Sequence, residues 1–124
     1  MNSGQCLCGD VTFTVNAKPK GMFACHCSQC RKQSGHVWSS AYVAREALTI
    51  KGPVTWFAAT PQAKRGFCAR CGSFLFWAMH DEQTMSFALG ALDGPTGLTL
   101  EKHIFVGSKG DYYDIADGLP QKDE

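Results

Sequence analysis

The segment FACHCSQCRKQSG, from Phe23 to Gly35, places three cysteines within six residues: Cys25, Cys27 and Cys30. Cysteines at such short spacings are typical of metal ligands, because the chain brings their sulfur atoms to one point. Three thiols are one more than a disulfide needs and one fewer than a closed tetrahedral zinc site needs. The segment therefore predicts a metal centre that keeps its fourth position for a group from outside the protein.

The remaining four of the seven cysteines form two more short-spaced pairs, Cys6 with Cys8 and Cys68 with Cys71. An odd number of cysteines cannot all pair as disulfides, and residues 1–20 lack the apolar core and cleavage site of a secretory signal. We therefore expect metal ligands in preference to a disulfide framework. Cysteines that only fill a core would be scattered and would not gather in three clusters.

The sequence alone allows two ways of dividing the seven cysteines between metal sites. The first treats as one closed structural site the four residues Cys6, Cys8, Cys68 and Cys71, and leaves Cys25, Cys27 and Cys30 for a second, open site. The rival division makes a zinc ribbon of Cys27, Cys30, Cys68 and Cys71 and leaves the other three cysteines unexplained. We favour the first, because it alone uses all seven cysteines.

The local spacing indicates how the sulfur atoms converge. On an extended chain residues i and i+2 face the same side, and this geometry is expected for both Cys-x-Cys pairs. A Cys-x-x-Cys turn brings its two sulfurs together by folding the backbone back. Gly9 and Gly72 directly follow a cysteine, where a positive φ would let the chain curl around a metal.

Alternating apolar and polar residues predict strands over most of the chain. Val11, Phe13 and Val15 alternate with threonines, and similar stretches follow at 38–44, 48–51, 54–59, 66–67, 73–79, 85–92 and 103–106. Turns are expected between them, for example at 18–21. The only helical turn that we predict is Ser28 to Ser34. The pattern predicts a mainly β, antiparallel fold of sandwich or barrel type, in one domain over residues 1–120 with a polar tail at 121–124.

Charge and hydropathy exclude several classes of function. The 124 residues include 12 basic and 11 acidic ones, a formal net charge of +1, with no run of like charges. This balance gives no basis for predicting a nucleic acid or an anionic membrane as a partner. The longest apolar run, Phe74 to Met79, is too short to span a bilayer. We expect a soluble, cytoplasmic protein. The sequence does not indicate its oligomeric state.

Four motifs together resemble one protein family. They are Cys-x-Cys-Gly at Cys6–Gly9, Cys-His-Cys-x-x-Cys at Cys25–Cys30, Phe-Cys-x-x-Cys-Gly at Phe67–Gly72, and the late segment HIFVGSKGDYYDI at 103–115. In this order they resemble the glutathione-dependent formaldehyde-activating (GFA) family, which includes relatives of centromere protein V. The resemblance implies an antiparallel, zinc-containing β fold related to that of Rab guanine-nucleotide-release factors.

The resemblance also implies two zinc ions per chain and a reaction. A structural zinc is implied on Cys6, Cys8, Cys68 and Cys71, and a catalytic zinc on Cys25, Cys27 and Cys30. The implied activity is that of a carbon–sulfur lyase, which makes or breaks S-(hydroxymethyl)glutathione. The implied partner is therefore a small-molecule thiol such as glutathione.

The chemistry of three thiolates is consistent with thiol chemistry. Three thiolates leave a bound zinc net anionic, so it polarises water weakly but can hold an incoming thiol as thiolate. We hypothesise that the sulfur of glutathione, or of another thiol, attacks or is released from a small aldehyde carbon at this position. The basic residues that could offset the charge of the site and of glutathione are Arg31, Lys32, Lys64 and Arg65.

Other classes of protein stay open. A thioredoxin-type dithiol at Cys27 and Cys30 would need a βαβ unit that the strand pattern lacks. Iron is chemically feasible in a four-cysteine site, although zinc is the better expectation. The main alternative is a non-enzymatic zinc module that binds a protein or a small thiol, because formaldehyde and glutathione combine without a catalyst.

The histidines are expected beside the three-cysteine segment and not as ligands. His26 lies between two ligands, so on an extended chain it should point away from the metal and form hydrogen bonds or lie at the surface. His36 is a candidate proton carrier or structural residue, and His103 a structural or pocket residue. Trp38 is the best candidate for a pocket wall, because it follows the segment closely.

Overall fold

The computed structural model describes residues 1–124 and contains ten β-strands, one α-helix and three 3₁₀ helices. The strands are β1 (Asn2–Gln5), β2 (Thr12–Val15), β3 (Lys20–Cys25), β4 (Trp38–Ala44), β5 (Leu48–Lys51), β6 (Val54–Phe57), β7 (Ala63–Cys68), β8 (Phe74–Met79), β9 (Thr84–Ala88) and β10 (Lys102–Ile104). Helix α1 is Ser28–Ser34, and the 3₁₀ helices are Arg45–Ala47, Leu89–Ala91 and Val106–Ser108. None of these helices is long and apolar enough to cross a membrane.

The strands form two sheets, which confirms the mainly β, antiparallel fold. The smaller sheet has the order β1-β2-β5, and the larger has the order β10-β3-β4-β9-β8-β7-β6. All pairings are antiparallel except that β10 lies parallel to β3. Strands β3 and β7 therefore run in the same direction, and their C-terminal ends lie at the same end of the larger sheet. Both end in a cysteine, Cys25 and Cys68 respectively.

Most predicted elements are present, some with different ends. Strands β4 and β5 and helix α1 have the predicted bounds. The stretch predicted at 85–92 leaves the sheet after Ala88, because the chain turns there into a 3₁₀ helix. The short stretch predicted at 66–67 is the centre of the longer strand β7, which pairs on both sides with β6 and β8.

Two strands were not predicted, for different reasons. Strand β1 is polar, with the sequence NSGQ, and it forms because its backbone pairs with β2. Strand β3 begins inside the stretch expected to be a turn at 18–21, so that expectation is wrong. Gly21 has a φ of +64°, and the β3–β4 register shifts between Lys20 and Phe23. The glycine therefore makes a bulge within a strand and does not end the strand.

The buried apolar residues form two clusters. The main cluster of 13 residues lies between the two sheets and includes the side chains of Phe13, Phe76 and Phe87, together with Cys6 and Cys68. A smaller cluster of five residues comprises Cys25, Cys30, Trp38, Phe74 and Ala88. The two sets of cysteines thus pack into different parts of the core.

The C-terminal residues run beside β10. His103 N–H donates to the carbonyl of Pro120, and Lys122 N–H donates to the carbonyl of His103, both at 2.9 Å. Val106 N–H also donates to the Lys122 carbonyl at 2.9 Å. The polar residues 121–124 are therefore fixed to the same edge of the larger sheet as β10.

Candidate metal centres and the adjoining cavity

The first candidate metal centre is the four-cysteine cluster, Cys6, Cys8, Cys68 and Cys71, whose sulfur atoms all lie within 4.8 Å of one another. The Sγ···Sγ distances are 3.6 Å for Cys6–Cys8 and 3.7 Å for Cys8–Cys68. Four sulfurs at about 2.3 Å from one zinc ion would lie about 3.8 Å apart, whereas disulfide sulfurs lie about 2.05 Å apart. The spacing therefore fits a tetrahedral metal site.

Backbone N–H groups point at the sulfurs of this cluster. Those of Arg70 and Cys71 donate to Cys68 Sγ, both at 3.4 Å, and that of Val11 donates to Cys6 Sγ at 3.3 Å. Donors of this kind favour the thiolate form that a metal requires. The Ser73 hydroxyl and backbone N–H lower the pKa of Cys71 to about 5.

The chain around this cluster follows one expectation and departs from another. Gly9 and Gly72 have positive φ values of +84° and +78°, as predicted. The expectation of extended chain between Cys6 and Cys8 is wrong, because Gly9 N–H donates to the Cys6 carbonyl at 3.1 Å and closes a turn. The two sulfurs meet because the backbone turns, and not because side chains alternate along a strand.

The second candidate centre, the three-cysteine cluster, lies where β3 passes into α1. Cys25 is the last residue of β3, Cys27 is the N-cap of α1, and Cys30 lies in the first turn of the helix. Cys30 N–H donates to Cys27 Sγ at 3.3 Å, so the cap itself turns that sulfur toward the helix. The three Sγ atoms lie within 4.8 Å of one another. In space the cysteines thus group as four and three.

Arg65 on β7 brings a buried positive charge to the three-cysteine cluster. Its side chain is only 6% exposed, and Nη1 donates to Cys30 Sγ at 3.6 Å. The guanidinium also donates to the side-chain oxygens of Gln29, at 3.0 Å, and Gln33, at 3.4 Å. These glutamines are four residues apart on α1 and so face the same side of the helix. Helix α1 therefore both supplies sulfurs and holds the arginine beside them.

The three thiols shift one another's acidity. Hydrogen bonds from the Cys25 and Cys30 thiols, aided by the Arg65 charge, lower the pKa of Cys27 to about 2. Hydrogen bonds with Cys27 and Cys30, together with burial, raise the pKa of Cys25 above its usual range. Without a metal the cluster would hold one thiolate and resist forming more. A divalent cation would stabilise all three sulfurs as thiolates, so the donor set suits a metal.

A cavity of about 430 Å³ opens onto the three-cysteine cluster and is lined by all three of its cysteines. Trp38 forms part of the wall, as predicted, with its ring stacked on Phe74 at 4.0 Å between centroids. Trp38 also borders a second cavity of about 660 Å³, which reaches Cys6 but none of the three. The volume beside the cluster is within the range of small-molecule sites.

A chain of hydrogen bonds joins the loop of this cluster to the C-terminal segment. His26 is 2% exposed, and its Nδ1 pairs with the Tyr113 hydroxyl while its Nε2 lies 2.8 Å from His103 Nδ1. The other ring nitrogen of His103 lies 2.7 Å from Asp117 Oδ2. Of the two alternatives expected for His26, hydrogen bonding and a surface position, the structure shows the first, and His103, expected to be a structural or pocket residue, lies in the same chain of hydrogen bonds.

The other residues singled out from the sequence lie at differing distances from the cluster. His36 is exposed and pairs with the Tyr112 hydroxyl at 2.6 Å. Lys64 pairs with Glu82 and lies over the Trp56 ring, so it does not offset charge at the cavity. Lys32 is exposed on α1, and Arg31 Nε is buried without a hydrogen-bond partner. Of the four basic candidates, only Arg65 lines the cavity.

Sequence reasoning missed several residues that contact the cluster or its surroundings, namely Gln29, Gln33, Phe105, Tyr113 and Asp117. The i, i+4 spacing of the two glutamines, one on each side of Cys30, was the available signal for a shared helix face. No local pattern marks Asp117, because its partner His103 lies 14 residues away and is reached only through folding.

Comparisons with known proteins agree with the fold and indicate the family. The model of the family described as glutathione-dependent formaldehyde-activating enzyme matches residues 1–108. An uncharacterised lyase of Schizosaccharomyces pombe is 27% identical, over 91% of this chain and 84% of its own. The crystal structure of a Rhodobacter sphaeroides protein shares the fold, with a TM-score of 0.57 and 24% identity over 77% of this chain and 91% of that one. On the extent of the family match, the chain belongs to the glutathione-dependent formaldehyde-activating enzyme family.

Proposed function

We propose that this protein is a zinc-dependent carbon–sulfur lyase that acts on adducts of a thiol with a small aldehyde, such as S-(hydroxymethyl)glutathione. One observation carries the proposal: three thiol sulfurs within 4.8 Å of one another border a cavity of about 430 Å³. Three ligands that open to a cavity are typical of a catalytic zinc site. Family membership and the lyase name of the S. pombe relative support the same class of activity.

Two zinc ions per chain are part of the proposal. Cys25, Cys27 and Cys30 would hold the ion beside the cavity, and the four-cysteine cluster would hold a structural ion. Both sets of ligands fit zinc, because thiolates select soft or borderline metals and the sulfur spacings suit a tetrahedron. When bound beside the cavity, zinc would hold the sulfur of an incoming thiol in its thiolate form.

The proposed reaction needs no oxidant or reductant. When the adduct breaks, the electron pair of the carbon–sulfur bond stays on sulfur, the hydroxyl group gives its proton to solvent, and the carbon becomes an aldehyde carbonyl. Addition of the thiol is the reverse. The Arg65 guanidinium, 3.6 Å from Cys30 Sγ, places a fixed positive charge beside the cluster, where it would stabilise the negative charge that develops on the thiol sulfur in the transition state shared by both directions.

Exchange NMR spectroscopy tests this proposal. The zinc-loaded protein is expected to interconvert formaldehyde and the hydroxymethyl adducts of glutathione or 2-mercaptoethanol faster than the spontaneous reaction. Cys27→Ser should return the rate to the spontaneous value, because it removes one of the three sulfurs. Ser34→Ala serves as a control on the same helix, since Ser34 is exposed and its hydroxyl accepts a hydrogen bond from His36 N–H and makes none with a cysteine.

Two results would contradict the proposal. No acceleration with either adduct would favour the alternative, a non-enzymatic zinc module that binds a protein or a small thiol. Full activity in Cys27→Ser would assign any acceleration to another part of the molecule.

A further inference from the structure

Five of the 19 residues that line the cavity beside the three-cysteine cluster are aromatic. Rings reach it from three strands of the larger sheet: Phe23 on β3, Tyr42 on β4 and Trp77 on β8. Phe105, which follows β10, adds a further ring and is 42% exposed. Rings from separate elements thus surround one volume, and such rings supply large apolar contact areas for a ligand.

Small residues in the middle of the sheet make room for a ligand between these rings. Ser40 lies between Trp38 and Tyr42 on β4, so all three side chains face the same side of the sheet. Ser86 on β9 pairs with Tyr42 on one side and Trp77 on the other. Both serines line the cavity. A row of large, small and large side chains therefore forms an aromatic slot with a serine floor.

The cavity offers little to a ligand with several charges. Arg65 is the only charged residue that lines it, and its guanidinium already donates to Gln29, Gln33 and Cys30. Lys102 contacts the Phe23 ring, 4.5 Å from its centroid, and does not line the cavity. Glutathione carries two carboxylates and an ammonium group, and buried carboxylates require charged or multiple hydrogen-bond partners. The lining therefore offers one cation, which lies beside the sulfurs of the cluster, for two carboxylates.

Phe105 is held at the cavity in an uncommon backbone conformation. Its φ is +54°, in the left-handed region that is strained for a residue with a side chain. The conformation is fixed on its C-terminal side, because Val106 N–H donates to the Lys122 carbonyl and Ser108 N–H donates to the Phe105 carbonyl. Backbone strain of this kind is commonly retained where it orients a side chain for a ligand.

We propose, building on the lyase function proposed above, that the thiol accepted by this cavity carries an aromatic group in place of the charged arms of glutathione. Its sulfur lies at the three-cysteine cluster, and its ring lies in the slot between Tyr42, Trp77 and Phe105. Discrimination against glutathione arises because the single cation of the lining lies beside the sulfurs, so that at least one of the two carboxylates would lose water without gaining a cation.

Isothermal titration of the zinc-loaded protein tests this inference with three probes: benzyl mercaptan, glutathione and 2-mercaptoethanol. Benzyl mercaptan is expected to bind about tenfold more tightly than either of the others. The binding free energy of one aromatic ring contact is large enough to give this difference. Phe105→Asn should remove most of that gain and leave 2-mercaptoethanol unaffected. Asparagine tolerates a positive φ, so the variant removes the ring with little added strain.

Phe57→Asn is the matched control, because Phe57 is also exposed, at 58%, but lies on β6 and does not line the cavity. It should leave all three affinities unchanged. Glutathione binding as tightly as benzyl mercaptan would overturn this inference and leave the lyase proposal standing. Equal losses of benzyl mercaptan affinity in Phe57→Asn and Phe105→Asn would overturn the placement of the aromatic ring in the slot. Failure of all three thiols to bind would overturn the lyase proposal as well.

Discussion

Gly52 illustrates how a single residue can be fixed by two independent constraints. Its φ is +109°, and a Cβ atom built on it would lie 2.1 Å from the backbone oxygen of Asp10. Backbone cannot move aside as a flexible side chain can. By contrast, Gly72 has a positive φ of +78° but open space around its Cβ position, so only the conformational constraint applies there.

Gly52→Ala should therefore lower the free energy of unfolding by about 2–4 kcal/mol, the sum of a left-handed alanine and a steric overlap. Gly90→Ala is the control, because Gly90 has no positive φ and no atom within 4 Å of a Cβ position. Urea unfolding of the zinc-loaded variants measures both. Equal stability of the two variants would show that the backbone at Gly52 rearranges at little cost.

At the scale of elements, the chain from β10 to the C-terminus supports the loop that carries Cys25 and Cys27. Asp117, His103, His26 and Tyr113 form one row of side-chain hydrogen bonds. Burial and the neighbouring His103 lower the pKa of His26, so the neutral ring is favoured in this row. Because His26 lies between two of the cysteines, anchoring its ring also limits how the loop can move.

Asp117→Ala should loosen this support. The Leu119 N–H and the His103 ring hold the pKa of Asp117 below its usual range, so the carboxylate stabilises the fold above the ordinary aspartate pKa. That contribution is lost only as the pH falls through the lowered value. At neutral pH we expect the variant to show faster hydrogen–deuterium exchange at residues 117–122 and at β10.

Asp111→Ala is the matched control for this experiment, since Asp111 is exposed in the same segment and makes no side-chain hydrogen bond or ion pair. Exchange that increases equally in both variants would mean that the row of hydrogen bonds does not hold the segment in place.

At the scale of the whole molecule, the two cysteine clusters differ in how they belong to the core. Cys6 and Cys68 are 2% and 0% exposed and pack in the main cluster between the sheets. Cys25 and Cys30 pack in the smaller cluster at the cavity. Loss of a metal from the first site would leave buried thiolates in the main core, whereas loss from the second would affect mostly the cavity.

Metal analysis with matched serine variants tests this difference. Wild-type protein is expected to hold two zinc ions per chain. Cys68→Ser should lose one ion and most of the folding free energy, because binding at structural zinc sites is worth on the order of 10 kcal/mol. Cys27→Ser should retain one ion and a cooperative thermal transition. Equal loss of folding from both variants would contradict separate structural and cavity sites.

Much of the architecture is predictable from local patterns. The bounds of β4 and β5 follow from alternation, and those of α1 from the helical turn expected at the three-cysteine segment. Strand β1 is not predictable in this way, since its residues are polar and only pairing with β2 makes them a strand. The turn at Cys6–Gly9 was also missed, because a Cys-x-Cys spacing is compatible with either an extended or a turned backbone.

Seven cysteines at short spacings, glycines where the chain must turn, and a mainly β pattern are local features, and they indicated two sulfur clusters and the family from the sequence alone. What surrounds those sulfurs follows from the tertiary structure. Arg65, Phe105 and Asp117 reach their partners from distant parts of the chain. Spacing along a chain fixes which ligands can share a metal, but the charge and shape of a cavity depend on which strands become neighbours in the sheet.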